Sequence, residues 1–220
     1  MSINGPAHVT VSQTDPLDWF ASPAGCGLLA AERKAMDRVL AGVPALPWAW
    51  IGPGPAAGPD LARPRGVLLH RHGDGFAGAL RCRLPWPLAS ETFGAVLLQH
   101  VFDDGLDPAP LFGECARVLA PGGTLWLSTL NPWSPYRGRW WRSGLRARGP
   151  GAWQARLRHA GFAAATVHVQ WLGPRWRIDR TGAGVAAADL SRAAMAITVG
   201  KRVHAAIPPS PLHKLRLQTG

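Results

Sequence analysis

The chain has 220 residues, 47% of them hydrophobic, with 24 Lys+Arg against 13 Asp+Glu and a formal charge of +11. That apolar content excludes a disordered chain, and the length suits one domain with a full core. No run of about 18 apolar residues occurs, which excludes a hydrophobic membrane-spanning helix, and residues 1–15 lack the basic-then-apolar order of a secretory signal.

The charge is uneven. Residues 1–110 hold 8 Lys/Arg and 10 Asp/Glu, whereas residues 111–220 hold 16 and 3. Such asymmetry marks an anionic partner or, more blandly, an arginine-rich composition. Cys26, Cys82 and Cys115 stand apart with no C-x-x-C pair and no His/Cys cluster at zinc spacing. They read as free thiols, which implies a reducing, cytoplasmic setting and no metal site.

In chain order, residues 1–15 read as a flexible lead-in. Residues 16–41 read as an interrupted helix with Leu17, Phe20, Leu28, Leu29, Met36, Val39 and Leu40 on its apolar face, broken by Pro23 and Gly25. Glu32, Arg33, Lys34, Asp37 and Arg38 are assigned to the wet side. Residues 47–52 form an apolar strand that runs into Gly52-Pro53-Gly54, where glycine lets backbone approach a ligand. Pro55, Pro59 and Pro64 leave room for only a turn or two of helix after it. Residues 66–70 are the second strand, ending in His70, Arg71 and His72, and residues 79–84 are the expected third.

Residues 93–98 are a short apolar run of the kind buried in a parallel sheet, with Gln99, His100, Asp103 and Asp104 at its carboxyl end. Leu111, Cys115, Val118 and Leu119 recur at helical spacing until Pro121-Gly122-Gly123 stops the helix, and residues 124–129 form the next strand. This is a βαβ unit with polar residues where open α/β sheets bind ligands. Asn131 leaves the fifth strand. Trp133, Tyr136, Trp140 and Trp141 are then interleaved with Arg137, Arg139, Arg142, Arg146 and Arg148, and Arg156 and Arg158 extend the basic run. Basic and aromatic residues together suit RNA, a phosphorylated molecule or a membrane surface, and equally a solvated cap packed on the body. Residues 153–161 read as helix and residues 166–172 as the sixth strand. A connection with a short helix from Val185 follows, then a last strand over residues 194–203 and a Pro-rich tail over 206–220.

Residues 114–123, ECARVLAPGG, resemble the second half of the class I S-adenosylmethionine-dependent methyltransferases of the methyltransferase type 11 kind. The pattern there is close to E-x-x-R-V-L-x-P-G-G, matched by Glu114, Arg117, Val118, Leu119, Pro121, Gly122 and Gly123. The preceding LPWPLASETFGAVLL resembles the family's segment entering its fourth strand, and Trp19 to Gly25 resembles its W-F-x-S-P-x-G lead-in. The resemblance implies a Rossmann-like, doubly wound α/β fold. Its sheet would be mostly parallel with an antiparallel last edge strand, and helices would lie on both faces. It makes residues 16–205 one methyltransferase-like domain with a basic and aromatic insertion at about 131–150. It implies S-adenosyl-L-methionine as cofactor, held by Gly52, Pro53, Gly54, His70, Leu84, Gln99 and His100, with His100 and Asn131 as catalytic candidates beside the methyl group.

The chain departs from the family at three places. The cofactor loop is proline-interrupted, His70-Arg71-His72 replace the acid that reads the ribose hydroxyls, and Arg81-Cys82-Arg83 replace the acid that reads adenine. Three readings follow: a methyltransferase of unassigned acceptor, an inactive methyltransferase-like binding or regulatory module, and an RNA-binding or RNA-modifying protein that docks through residues 133–158.

Overall fold

The computed structural model describes residues 15–55, 64–163, 166–175, 183–184 and 187–202. The lead-in before Asp15, the segment from 56 to 63 and the tail lie outside the described residues.

The first helical stretch is two pieces. Pro16–Ala21 is a 3-10 turn whose Leu17 N–H is accepted by Asp15 Oδ1 at 2.9 Å. Ser22 then caps α1 (Pro23–Ala41) by accepting from Gly25 N at 3.2 Å, and Pro23 sits in the first turn where its missing N–H costs nothing. A side chain at Gly25 would stand 2.5 Å from Phe20 Cα, so the tight corner itself requires glycine. Leu28, Leu29, Glu32, Ala35, Met36 and Leu40 form the buried face of α1. Glu32 is therefore on the core side, not the wet side. It lies four residues beyond Leu28 and four before Met36, the spacing of one helix face.

The strands are β1 (Trp48–Gly52), β2 (Gly66–His72), β3 (Gly75–Gly78), β4 (Phe93–Gln99), β5 (Leu119–Leu130), β6 (His168–Arg175), β7 (Ala183–Gly184) and β8 (Arg192–Gly200). The other helices are α2 (Ala109–Val118) and α3 (Pro150–His159). The sheet order is β3-β2-β1-β4-β5-β8-β6-β7. β2, β1, β4 and β5 pair in parallel, and β6 runs with them because β8 is antiparallel to both β5 and β6. This is the doubly wound arrangement, with its order reversing between β1 and β4. The antiparallel last strand, β8, is slotted between β5 and β6, so that its buried backbone is hydrogen-bonded along both edges.

α1 covers one face of the sheet, packing on Trp48, Trp50, Leu97, Trp126 and Ala196. α2 and α3 cover the other, over Ile51, Val96, Leu98, Leu125 and Ile197. There Phe102, Phe112 and Trp153 form a three-ring cluster with centroids 5.2–6.2 Å apart. Each such pair adds about 0.5–1.5 kcal/mol beyond its buried area.

The third strand differs from expectation. It is residues 75–78, not 79–84, and it returns antiparallel to β2 through a tight turn at Gly73, whose φ is +56°. Glycine at 73 permits the reversal. Residues 79–84 stay outside the ladder because residues 75–78 take the edge beside β2, and Cys82 makes only an isolated bridge to Phe76. β5 begins at Leu119, earlier than the Pro-Gly-Gly stop suggests. Gly122 turns through φ +75°, and Lys201 N donates to Gly123 O at 2.8 Å. Of the expected short helix near 185, residues 187–191 form a 3-10 turn, whereas 185–186 lie outside the described residues.

Candidate functional site

α1, β4 and β5 bring a polar cluster together at the carboxyl ends of the central strands. His100 follows β4 with φ +55°, a conformation uncommon outside glycine. That backbone turn aims its ring back toward α1. His100 Nδ1 lies 2.6 Å from Asp103 Oδ2, and Nε2 lies 3.0 Å from Glu32 Oε1. Glu32 Oε2 also accepts from Gln99 Nε2 at 2.8 Å and Ser128 Oγ at 2.9 Å. Gln99 Oε1 accepts from the Trp50 indole at 3.0 Å. Asp103 accepts from Thr129 Oγ1 and from Leu130 N. Glu32, Gln99, His100, Asp103 and Ser128 are all 0% exposed, and the Phe20 ring lies over His100 at 4.5 Å.

Burial alone would lower the His100 pKa. The charge of Glu32 and the hydrogen bonds to Asp103 and Glu32 overcome it and raise it from 6.5 to about 10. The ring is therefore an imidazolium at neutral pH, with both nitrogens donating to carboxylates. It has no lone pair left for a substrate proton. Asn131, the other catalytic candidate, is also 0% exposed. Its Nδ2 donates to Leu190 O and Arg192 O at 2.5 and 2.7 Å, and its Oδ1 accepts from Trp133 N at 3.0 Å. It ties the exit of β5 to the entry of β8.

The remaining predicted site residues stand just after β1, near the end of β2 and on the loop before Trp86. Gly52 and Pro53 are buried and Gly54 is partly exposed. The two glycines differ in kind. A Cβ on Gly52 would stand 2.1 Å from the Trp50 ring, so Gly52 makes room for an indole. A Cβ on Gly54 would meet nothing within 4 Å. His70 is partly buried at the end of β2, and burial followed by the neighbouring His72 holds its pKa below 6.5, leaving a neutral ring able to accept a hydrogen bond. Leu84 is exposed on the loop before Trp86. The structure thus groups Gly54, His70 and Leu84 with accessible surface, and seals Gln99, His100 and Asn131 into the interior.

Glu114 and Arg117, from the sequence motif that carries the resemblance, do architectural work. Glu114 accepts from Trp86 N at 2.7 Å and from Arg117 Nε at 3.1 Å, and Arg117 reaches Ser90 Oγ and Trp86 O. Together they anchor the loop before β4 to α2.

The basic and aromatic segment wraps the carboxyl end of the sheet. It starts beside α1, where Tyr136 Oη donates to Ala24 O at 3.3 Å and Trp19 donates to Arg139 O at 3.0 Å. It then crosses to the turn after β4, where Arg146 N donates to Asp103 O at 2.6 Å and Arg148 Nη2 to Gly105 O at 2.9 Å. Trp133 and Trp141 are 58% and 57% exposed, and the Arg142 guanidinium lies 4.5 Å above the Trp141 ring. Arg137, Arg139, Arg142 and Arg146 are exposed, Arg148 is partly buried against Trp153, and Arg156 and Arg158 project from α3 on the other layer. A cavity of about 640 Å³ lies between the 3-10 turn and this strap, lined by Asp15, Asp18, Trp19 and Arg142 among others.

No helix among the described residues is long and apolar enough to cross a membrane, and no group of metal-ligating side chains occurs among them.

Residues 76–127 match a family model described as a methyltransferase domain. Curated relatives from Mycobacterium bovis and Mycobacterium tuberculosis, described as uncharacterized proteins, are 35% identical in a 135-residue alignment that covers 53% of this chain. The chain spans 44% of their length. A Thermotoga maritima S-adenosylmethionine-dependent methyltransferase superposes with a TM-score of 0.54 at 17% identity, over 84% of this chain and 93% of that one. One from Archaeoglobus fulgidus gives 0.56 at 14%, over 84% and 97%. These two likenesses speak to fold, and the fold agrees with the matched sequence pattern. The chain thus carries a methyltransferase-domain sequence match over residues 76–127, on a fold shared with S-adenosylmethionine-dependent methyltransferases.

Proposed function

We propose that the chain is an S-adenosylmethionine-dependent methyltransferase that works by positioning, with none of its own residues serving as the base. The match to a methyltransferase domain supports the cofactor, and the sheet reverses its strand order between β1 and β4, the place where open α/β sheets take ligands. The residues there fit the group. Gly54 leaves open space for close approach of a ligand to the backbone. His70 offers a neutral acceptor, and Leu84 offers an exposed apolar side chain suited to a purine. When bound, the cofactor would supply an electrophilic methyl group, which the acceptor nucleophile would take in line as the C–S electron pair leaves with S-adenosylhomocysteine.

The chain's own contribution is to orient and to exclude water. The carboxyl ends of β4 and β5 form a stiff floor, because each polar atom of the Glu32–His100–Asp103 cluster described above is satisfied internally. Alignment of two reactants on such a floor is worth up to about 7–11 kcal/mol of barrier. The observation that carries this reading is the reversal of strand order at β1/β4 with the open Gly54 beside it.

The acceptor enters past the strap. Its exposed Arg137, Arg139, Arg142 and Arg146, beside Trp133 and Trp141, favour an anionic and aromatic acceptor such as RNA or a phosphorylated small molecule. The same side chains would serve a binding module that transfers nothing. That second reading is favoured by the interior placement of Gln99, His100 and Asn131. Titration calorimetry with S-adenosylmethionine and S-adenosylhomocysteine separates the two. Saturable micromolar binding is the expected result, and silence at millimolar ligand would leave the binding module.

A further inference from the structure

The end of β2 carries no acid, yet a carboxylate reaches it from elsewhere. β1 lies between β2 and β4 in the sheet, so any contact from the end of β2 to the turn after β4 passes over the carboxyl end of β1. Arg71 and Asp104 make that contact, with Nη2 and Oδ2 3.4 Å apart and side chains 11% and 10% exposed. We propose that Asp104 supplies the ribose-binding carboxylate that β2 lacks, and that Arg71 holds the ligand's place until it arrives. The inference rests on the cofactor reading above.

Several observations support it. A charge-assisted N–H···O bond is normally about 2.7–2.9 Å, so the Arg71–Asp104 pair is a loose match. Arg71 Nε is buried with no hydrogen-bond partner among the described residues, an arrangement that native interiors mostly avoid. Asp104 is held more firmly than Arg71. Its Oδ1 accepts from Leu106 N at 2.9 Å, which leaves Oδ2 facing Arg71. The turn that carries it is pinned from the strap. Gly105 has φ +92° and no room for a side chain, since a Cβ would meet Arg146 Cδ at 2.7 Å, and Arg148 donates to its carbonyl. A carboxylate fixed in this way can accept both hydroxyl protons of a vicinal diol. At 3.4 Å the pair lacks the short contact of a charge-assisted hydrogen bond, so a ligand offering two hydroxyls can displace the arginine.

The test uses the full chain, with S-adenosylhomocysteine and then adenosine and 2′-deoxyadenosine as probes in calorimetry. Asp104→Asn keeps an acceptor for Leu106 N but loses the charge, and should weaken S-adenosylhomocysteine about tenfold, the scale of a hydrogen bond to a charged group. Arg71→Gln removes the competitor and should bind as tightly as wild type or tighter. Adenosine should bind wild type about tenfold better than 2′-deoxyadenosine, a preference lost in Asp104→Asn. A purely architectural Asp104 would not move that preference. Wild-type binding with an unchanged affinity and diol preference in Asp104→Asn would overturn this inference and leave the cofactor reading intact. Failure of both wild type and Arg71→Gln to bind would overturn both. Binding by Arg71→Gln alone would support both.

Discussion

Glu32 Oε1 and His100 Nε2 lie 3.0 Å apart with neither side chain exposed, joining the middle of α1 to the end of β4 across 68 residues of sequence. With Asp103 on the other ring nitrogen, the imidazolium is held between two carboxylates. This fixes α1 over the sheet and removes His100 from chemistry.

Breaking that pair should be costly. Glu32→Gln leaves a buried cation with one charged partner instead of two and should lower unfolding free energy by about 3 kcal/mol. Urea denaturation measures it. A loss below about 1 kcal/mol would mean that the pair contributes little to holding α1.

The same pair sets a pH dependence. The folded pKa of His100 is raised from 6.5 to about 10, so its stabilisation is complete below pH 6.5 and is lost as pH rises through about 10. Wild-type thermal stability should therefore decline on the alkaline side, with a flatter profile in His100→Gln. Parallel profiles for the two proteins between pH 6.5 and 10 would contradict this.

The two glycines of the β1 loop should separate stability from binding. Gly52→Ala forces the Trp50 indole out of place, because its ring carbons stand 2.1 Å from the new Cβ. Overpacking of that kind costs about 1–3 kcal/mol. Gly54→Ala meets nothing within 4 Å and should leave the melting temperature unchanged while weakening S-adenosylhomocysteine. The reverse pattern would assign the cofactor loop to Gly52.

Asn131→Ala removes a side chain that donates to Leu190 O and Arg192 O and accepts from Trp133 N. It leaves buried backbone groups unpaired, at about 1–3 kcal/mol. Denaturant unfolding should show the loss. Any methyl transfer measured at saturating substrate should persist below the melting temperature, whereas loss of turnover with unchanged stability would return Asn131 to a catalytic role.

The strap should act electrostatically if it meets an anionic acceptor. Neutralising Arg137, Arg142 and Arg146 together with glutamine should weaken binding of single-stranded RNA and reduce its salt dependence. Fluorescence anisotropy across a salt series reads both. An unaltered salt slope would move the partner elsewhere.

Much of the architecture is written locally. The apolar runs of β1, β4 and β8 and the Glu114–Arg117 motif declare strands and a helix end through short-range periodicity, and the family's fold follows from their order. The placing of Gly54 just after β1 and of His70 near the end of β2 was legible for the same reason, whereas Leu84, expected to end a strand, stands on a loop. What the periodicity could not show is where a polar group at a strand end turns. His100 reads as a ligand-facing residue until its positive φ swings the ring toward Glu32, and Glu32 reads as solvated until α1 packs over the sheet. The β2–β3 hairpin depended on Gly73, and the Arg71–Asp104 contact depended on β1 standing between two strands remote in sequence. Local spacing fixes which face a residue occupies. Burial, charge pairing and the choice of partner are properties of distances across the chain, and those exist only once the layers have packed.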